Sequence, residues 1–309
     1  MNSPPKSGTL FVLSILLFAM AVFAVFAYYY FSTARTVNAI EVLSSPASPA
    51  STLAFASPKP LDPLPDPKSI TPAPRAQVSS AHPKDLSHGM LSFNFDDGFV
   101  SAYNVAFPML EQAGFASTEY IITRAAIGHS QYMTWQDVFN LAAEGNEIGA
   151  HTRTHVQLTT VSLQAAENEI LGSKQDLESL GFHITTFAYP QGYFNAGIES
   201  IVEQAGFKGA RITQPLLNDP SSDLFALKRQ RIEMDTTWPE IKTAIDQAIA
   251  QHKWVILVMH RIDESSADQV NAPSSLLAQT IDYVKQTGIP VVTNDVGIDV
   301  LKSATSAKQ

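Results

Sequence analysis

Leu91-Ser92-Phe93-Asn94-Phe95-Asp96-Asp97-Gly98 is a short apolar run that ends in two carboxylates and a glycine. Farther on, Glu147-Ile148-Gly149-Ala150 is a second such run, and His151-Thr152-Arg153-Thr154-His155 follows it directly. Both runs read as strands of a parallel sheet. Two acids and two imidazoles at the ends of neighbouring strands are the parts needed for a divalent cation and a base.

The same rhythm recurs along the chain. Amphipathic runs end in Gly114, Gly145, Gly181, Gly206 and Gly288. Short apolar stretches follow at 117–123, 147–150, 185–189, 209–213 and 290–293, and 91–95, 227–232 and 255–259 add more. Glycine just past a helix end is the left-handed cap, and helix-glycine-strand repeated is the pattern of an α/β domain with a parallel sheet. Seven or eight strands over residues 89–302 predict a (β/α) barrel, distorted or incomplete; a doubly wound sheet fits the rhythm as well. The clearest helix is 162–180, with Ser162 as its cap and Glu167 and Glu169 early. Trp238-Pro239 opens another, with proline where a helix start tolerates it. Residues 303–309 read as a polar tail.

Upstream, residues 7–34 carry no charged side chain, and 10–31 are apolar almost throughout, ending in Tyr28-Tyr29-Tyr30. About 20 apolar residues cross a bilayer, and tyrosines favour its interface. Residues 1–36 are therefore expected to be a signal anchor, a single transmembrane helix that leaves the rest of the chain at the membrane on its extracytoplasmic side. The alternative is a secreted protein, cleaved at Val25-Phe26-Ala27. Residues 37–88 hold Pro58, Pro60, Pro63, Pro65, Pro67, Pro72 and Pro74 among Ser and Ala. Proline fixes φ and removes a donor, so this stretch is expected to be a disordered, semi-extended linker.

The chain has 309 residues, 45% of them hydrophobic, and a net charge of −9. An acidic chain without a basic patch has no electrostatic reason to bind nucleic acid. It contains no cysteine, which excludes disulfides, thiolate zinc sites and a cysteine nucleophile.

In a parallel barrel, functional groups gather at the C-terminal ends of the strands. Asp96 and Asp97 stand there, as do His151, Tyr189-Pro190-Gln191-Gly192 and His260, which follows Val255-Ile256-Leu257-Val258-Met259. On a regular strand Asp96 and Asp97 would point to opposite faces; a turn at Gly98 would bring both to the mouth. Asp-Asp-Gly is also ordinary turn chemistry. His151 and His155 can meet one ion if the segment makes a helical turn, or they can be a surface pair. His260 can be a functional group or a satisfied core histidine. His82, His88, His129, His183 and His252 are given no role.

Taken together these motifs resemble the NodB-type polysaccharide deacetylases, carbohydrate esterase family 4. Asn94-Phe95-Asp96-Asp97-Gly98 is similar to the first motif, with Asn for Thr. His151-Thr152-Arg153-Thr154-His155 matches the second. Ala188-Tyr189-Pro190-Gln191-Gly192 matches the third in part, without its arginine, and Leu257-Val258-Met259-His260 matches the fifth. The fourth is poorly matched by 231–238, where Asp235 is the one aspartate. The resemblance implies that Asp97, His151 and His155 hold a divalent metal, usually Zn2+. It implies Asp96 as general base, His260 as general acid, and Tyr189, Pro190, Gly192 and Leu257 against the substrate, Leu257 by the acetyl methyl. Arg229 or Arg231 is the candidate to replace the missing arginine beside the base. The expected activity is removal of acetyl groups from an N-acetylated or O-acetylated polysaccharide. Hydrolysis of another C–N bond, in a cyclic imide or ureide, and an inactive glycan-binding domain are the alternatives.

Overall fold

The structure is a computed structural model and describes residues 63–73, 77–124, 127–264 and 270–306. The proposed signal anchor, with its cleavage alternative, and residues 37–62 of the linker lie outside the described residues. Among the described residues, no helix is long and apolar enough to cross a membrane.

Seven parallel strands form the sheet: β1 (Met90–Asp97), β2 (Thr118–Ile121), β3 (Glu147–Ala150), β4 (Thr186–Ala188), β5 (Gly209–Arg211), β6 (Gln230–Arg231) and β7 (Trp254–Met259), in the order β5-β4-β3-β2-β1-β7-β6. The two edges of this order meet. Leu227, just before β6, bridges to Arg211 of β5, with Leu227 N–H donating to Ala210 O at 2.9 Å and Ile212 N–H donating to Leu227 O at 2.9 Å. Gln230 and Arg231 pair with Leu257 and Val258. Neighbouring strands are thus consecutive in sequence all the way round. A doubly wound sheet needs a reversal of strand order, and this sheet has none; it is a curled, seven-stranded barrel.

The helices are α1 (Phe107–Ala113), α2 (Trp135–Glu144), α3 (Leu163–Ser179), α4 (Ala196–Gln204), α5 (Trp238–Ala250), α6 (Ser274–Thr287) and α7 (Asn294–Ser306). Their starts follow the sequence. Ser162 accepts from Ala165 N–H, and Thr237 forms a capping box with Glu240 ahead of Pro239. Gly145 closes α2 at φ 106°, and a Cβ there would lie 2.4 Å from Val78 O. A short parallel pair, β8 (Arg261–Ile262) and β9 (Asn271–Ala272), follows β7.

Alternation along β1 divides the interior. Leu91, Phe93 and Phe95 face outward and join the main apolar core with Phe107, Leu110, Leu257 and Leu277. Ser92, Asn94 and Asp96 face into the barrel. There Asn94 and Asn294 exchange hydrogen bonds at 2.9 and 3.0 Å, Asn294 also donates to Tyr120 Oη at 2.8 Å, and Trp254 Nε1 donates to Ser92 Oγ at 2.9 Å. The first residue of α7 is thus inserted among the strands.

Three boundaries differ from expectation. Part of the linker is docked: Val78 is buried, its N–H donates to Glu144 O at 2.7 Å, and Ala81 N–H donates to Val291 O at 2.8 Å. The polar tail is helical as far as Ser306, because α7 carries a buried apolar stripe of Ile298, Val300 and Leu301 and Thr305 Oγ1 donates to Pro220 O at 2.9 Å. The apolar stretch 290–293 contributes a single bridge, Val291 to Leu91, rather than a strand.

Replacing Asn294 by Ala orphans buried groups of Asn94 and Tyr120. We expect Asn294→Ala to destabilise the fold by about 2–3 kcal/mol, read from the urea midpoint at unchanged slope.

Candidate active site

At the C-terminal mouth, β1 does not simply end. Asp97 has φ 75° and Gly98 φ 79°, so the backbone swings over and Asp97 reaches toward β3 instead of facing away from Asp96. Asp97 Oδ1 lies 3.4 Å from His151 Nε2 and 3.4 Å from His155 Nε2. One ligand atom from each of the three residues falls within 4.8 Å of the others. The histidines do not meet through a helical turn. Residues 151–155 are a loop in which Thr152 has φ 66° and His155 φ 61°. His151 Nδ1 lies 2.7 Å from Ala188 O; a carbonyl only accepts, so Nδ1 carries the hydrogen and Nε2 presents its lone pair to the mouth. Asp97 Oδ1 is buried with no hydrogen-bond partner among the described residues. An orphaned carboxylate oxygen within reach of two imidazole Nε2 atoms fits a divalent cation.

Asp96 stands beside this group and is held by a residue given no role above. Arg211 Nη2, at the end of β5, donates to both Asp96 oxygens at 2.6 Å each. Both side chains are buried, at 1% and 6% relative exposure. Burial alone would push the Asp96 carboxyl up; the Arg211 guanidinium, then His151, His260 and Arg229, outweigh it and hold the pKa well below the ordinary carboxylate range. Asp96 therefore stays ionised at any physiological pH. His260 Nε2 lies 3.8 Å from Asp96 Oδ2, across the mouth. Burial, together with His151, lowers the His155 pKa, which keeps that imidazole available as a neutral ligand.

Residues 84–210 match the family model described as polysaccharide deacetylase. The match is to a polysaccharide deacetylase domain and covers less than half of the chain. The chain is 28% identical over 167 residues to YxkH of Bacillus subtilis (strain 168), a protein named for polysaccharide deacetylation, across 53% of this chain and 59% of that one. It is 26% identical over 119 residues to a peptidoglycan-N-acetylglucosamine deacetylase of Bacillus cereus, across 38% of this chain and 54% of the relative. The chain thus spans less than two thirds of either relative. Among solved structures, the Streptococcus pyogenes deacetylase PplD in complex with acetate is 24% identical at TM-score 0.46, covering 50% of this chain and 69% of that one. The Bacillus subtilis peptidoglycan deacetylase PdaC is 19% identical at TM-score 0.46, covering 72% and 96%.

Several candidate residues sit elsewhere than the sequence predicts. Arg231 is at the rim, paired with Glu233 and Asp235, and so is not the arginine beside Asp96. Arg229 is close enough to act on Asp96 electrostatically but makes no hydrogen bond to it. Leu257 points outward into the helix layer; Val258, on the His260 side of β7, faces the barrel. The Tyr189 ring is buried against Phe187 and Phe194, so the tyrosine lends the mouth its backbone rather than its ring. Pro190 is buried, and Gly192 is needed for close approach, since a Cβ there would lie 2.2 Å from Thr213 Oγ1.

Helix α3 supports the histidine loop. Glu169 Oε2 accepts from the N–H groups of Arg153 and Thr154 at 2.9 Å each, and Oε1 accepts from Thr154 Oγ1 at 2.9 Å. Asp176 holds Arg153 and Arg124. Outer contacts of this kind orient metal ligands, and their loss costs about 10–100-fold in metal affinity. Glu169→Ala is expected to weaken zinc binding within that range in a chelator competition.

Arg211→Met leaves a buried carboxylate without its partner, and we expect a loss of about 3–5 kcal/mol. Arg231→Ala at the exposed rim should cost less than about 1 kcal/mol. Both are read by urea denaturation at pH 7. Asp96 has a depressed folded pKa, so the pair's contribution is fully present above the unfolded carboxylate pKa and is lost as pH falls toward the folded one. The difference between wild type and Arg211→Met should therefore narrow under acid conditions.

Proposed function

We propose that the chain is a metal-dependent hydrolase that removes acetyl groups from a polysaccharide, with N-acetylated glycan as the first substrate to test. The observation that carries this reading is the convergence on one mouth of an Asp97, His151, His155 donor set, an ionised Asp96 clamped by Arg211, and His260. The family model and the deacetylases named among the relatives support the reaction class.

Asp97, His151 and His155 would hold the cation. When bound, such an ion polarises the acetyl carbonyl and lowers the pKa of water toward neutral. Asp96 is the base: it is ionised, it faces the mouth, and its two oxygens are fixed so that no rotamer search precedes proton transfer. The oxygen of the attacking water bonds to the acetyl carbon and its proton passes to Asp96. As the C–N bond breaks, His260 protonates the departing nitrogen, leaving acetate and a free amine on the sugar. With His260 Nε2 only 3.8 Å from Asp96, the proton collected at one group can be replaced at the other within the same pocket. The peptidoglycan deacetylase among the relatives makes a cell-wall-type N-acetylglucosamine strand a good first member of the panel.

Acetate release from N-acetylated oligosaccharides should require added zinc and stop with a chelator. Asp96→Asn should lower turnover by about 10²–10⁴-fold with its zinc content unchanged, and His260→Ala by a similar factor. Zinc-loaded, folded protein that releases no acetate would sink this reading, and a cyclic-imide panel would be the next assay.

The same proposal places the domain outside the cytoplasm, held at the membrane by the apolar stretch 10–31. Removing residues 1–36 should move the protein from the membrane pellet to the soluble fraction on immunoblots.

A further inference from the structure

Among the described residues, Arg229 is the one buried cation at the mouth that the reaction scheme leaves unused. It precedes β6 on the seam where the barrel closes, and its N–H donates to Gln214 O at 3.0 Å. Leu227, two residues earlier and on the same face, packs inside the barrel with Trp254, Ile256 and Val258. Arg229 therefore also points inward. Its side chain is 92% buried (8% relative exposure), and Nε and Nη1 have no hydrogen-bond partner among the described residues.

The charged groups that act on it are Arg211, Asp96, Glu233 and Arg231. Neither acid among them is free to serve it, since Arg211 holds Asp96 and Arg231 holds Glu233. Burial, then Arg211, push the Arg229 pKa down to about 10, which still leaves a full positive charge at neutral pH. A buried cation without a partner is costly unless its partner arrives with a ligand. The planar guanidinium fork is suited to carboxylates.

Resting on the hydrolase reading above, we propose that Arg229 is a carboxylate receptor in the mouth. A carboxylate can come from two sources. One is the acetate that hydrolysis would create at the same mouth; the other is an acidic sugar of the substrate. Both present the same carboxylate to the guanidinium, and the two arms of the test tell them apart.

The test uses the full chain, zinc-loaded, and the variant Arg229→Met, which keeps the apolar stem and removes the charge. In the first arm acetate is titrated directly by calorimetry and as an inhibitor of turnover. In the second, KM is compared for a neutral acetylated oligosaccharide and for one that carries a carboxylated sugar. A charged hydrogen bond is worth enough that Arg229→Met should weaken acetate binding about tenfold or more, with KM for the neutral substrate little changed. If the carboxylate belongs to the substrate, the same loss appears as a higher KM for the acidic oligosaccharide alone. Unchanged acetate affinity together with equal effects on both substrates overturns the proposal. Should Arg229→Met fail to fold, Arg229→Lys keeps the charge but loses the fork, and acetate affinity within about twofold of wild type would overturn it. Calorimetric acetate binding needs no turnover, so an inactive protein that loses acetate affinity in the variant would refute the hydrolase reading and leave the receptor standing.

Discussion

The ion pair between Arg211 and Asp96 is the constraint on which the rest of the mouth depends. Two opposite charges are sealed in one barrel, and taking each from water costs several kcal/mol. The geometry must return that energy. It does so with one guanidinium nitrogen set 2.6 Å from both carboxylate oxygens and with Arg211 lying over the Tyr120 ring at 5.2 Å. Removing either partner leaves an uncompensated charge in the core. The pair therefore ties β1 to β5 across the interior at the level where chemistry is expected. Arg211 is also the residue whose backbone bridges to Leu227 at the closing seam. Closing the barrel and fixing Asp96 are one structural event.

Beneath the mouth the barrel is filled with polar side chains, and this follows from the alternation of β1. Ser92 and Asn94 face inward with Asp96, so the opposing strands must supply partners. Trp254 of β7 does so for Ser92, and Asn294 at the start of α7 does so for Asn94 while also donating to Tyr120 of β2. Glu147 accepts from Thr118, from Thr186 and from Asp295 N–H. A polar network that is satisfied throughout is rigid and specific, whereas one with gaps is costly. This is why α7 begins where it does: Asn294 and Asp295 are the plug that completes the network from the N-terminal end. The expected polar tail is helical as far as Ser306 for the same reason, since the helix that carries the plug packs Ile298, Val300 and Leu301 against Trp254 and Leu227.

Much of this was legible in the chain. The helix-glycine-strand rhythm predicts a parallel barrel, and the exits of β1, β3 and β7 name Asp96, Asp97, His151, His155 and His260. Arg211 was not legible. It ends a strand of three residues with no motif around it, and its role exists only because barrel closure sets β5 opposite β1. A local pattern carries no record of which strand ends face each other across a lumen. Leu257 shows a smaller failure of the same kind. Three residues before His260 is an odd spacing on a strand, so its side chain must lie on the other face; counting in twos from His260 leads to Val258. The histidine spacing i, i+4 suggested a helical turn, but a loop with left-handed residues spans the same gap.

Those left-handed residues show where the structure stores strain. Among the described residues, five non-glycine positions have positive φ, and Asp97, Thr152, His155 and Gln191 are four of them. All four lie at the mouth, Asp97 at the end of β1 and the other three on the segments that follow β3 and β4. Such conformations cost of order 1–3 kcal/mol each and persist only where the surroundings over-determine them. The surroundings here are specific. Glu169 and Asp176 on α3 clamp Arg153 and Thr154, Thr152 Oγ1 accepts from His155 N–H at 3.0 Å, and Ala188 O anchors the His151 ring. Without that strain Asp97 would point away from the histidines, as neighbours on a strand do. The backbone energy spent at Asp97 and His155 is thus what turns three residues from two strand ends into one donor set, and α3, far from the chemistry, is what holds it there.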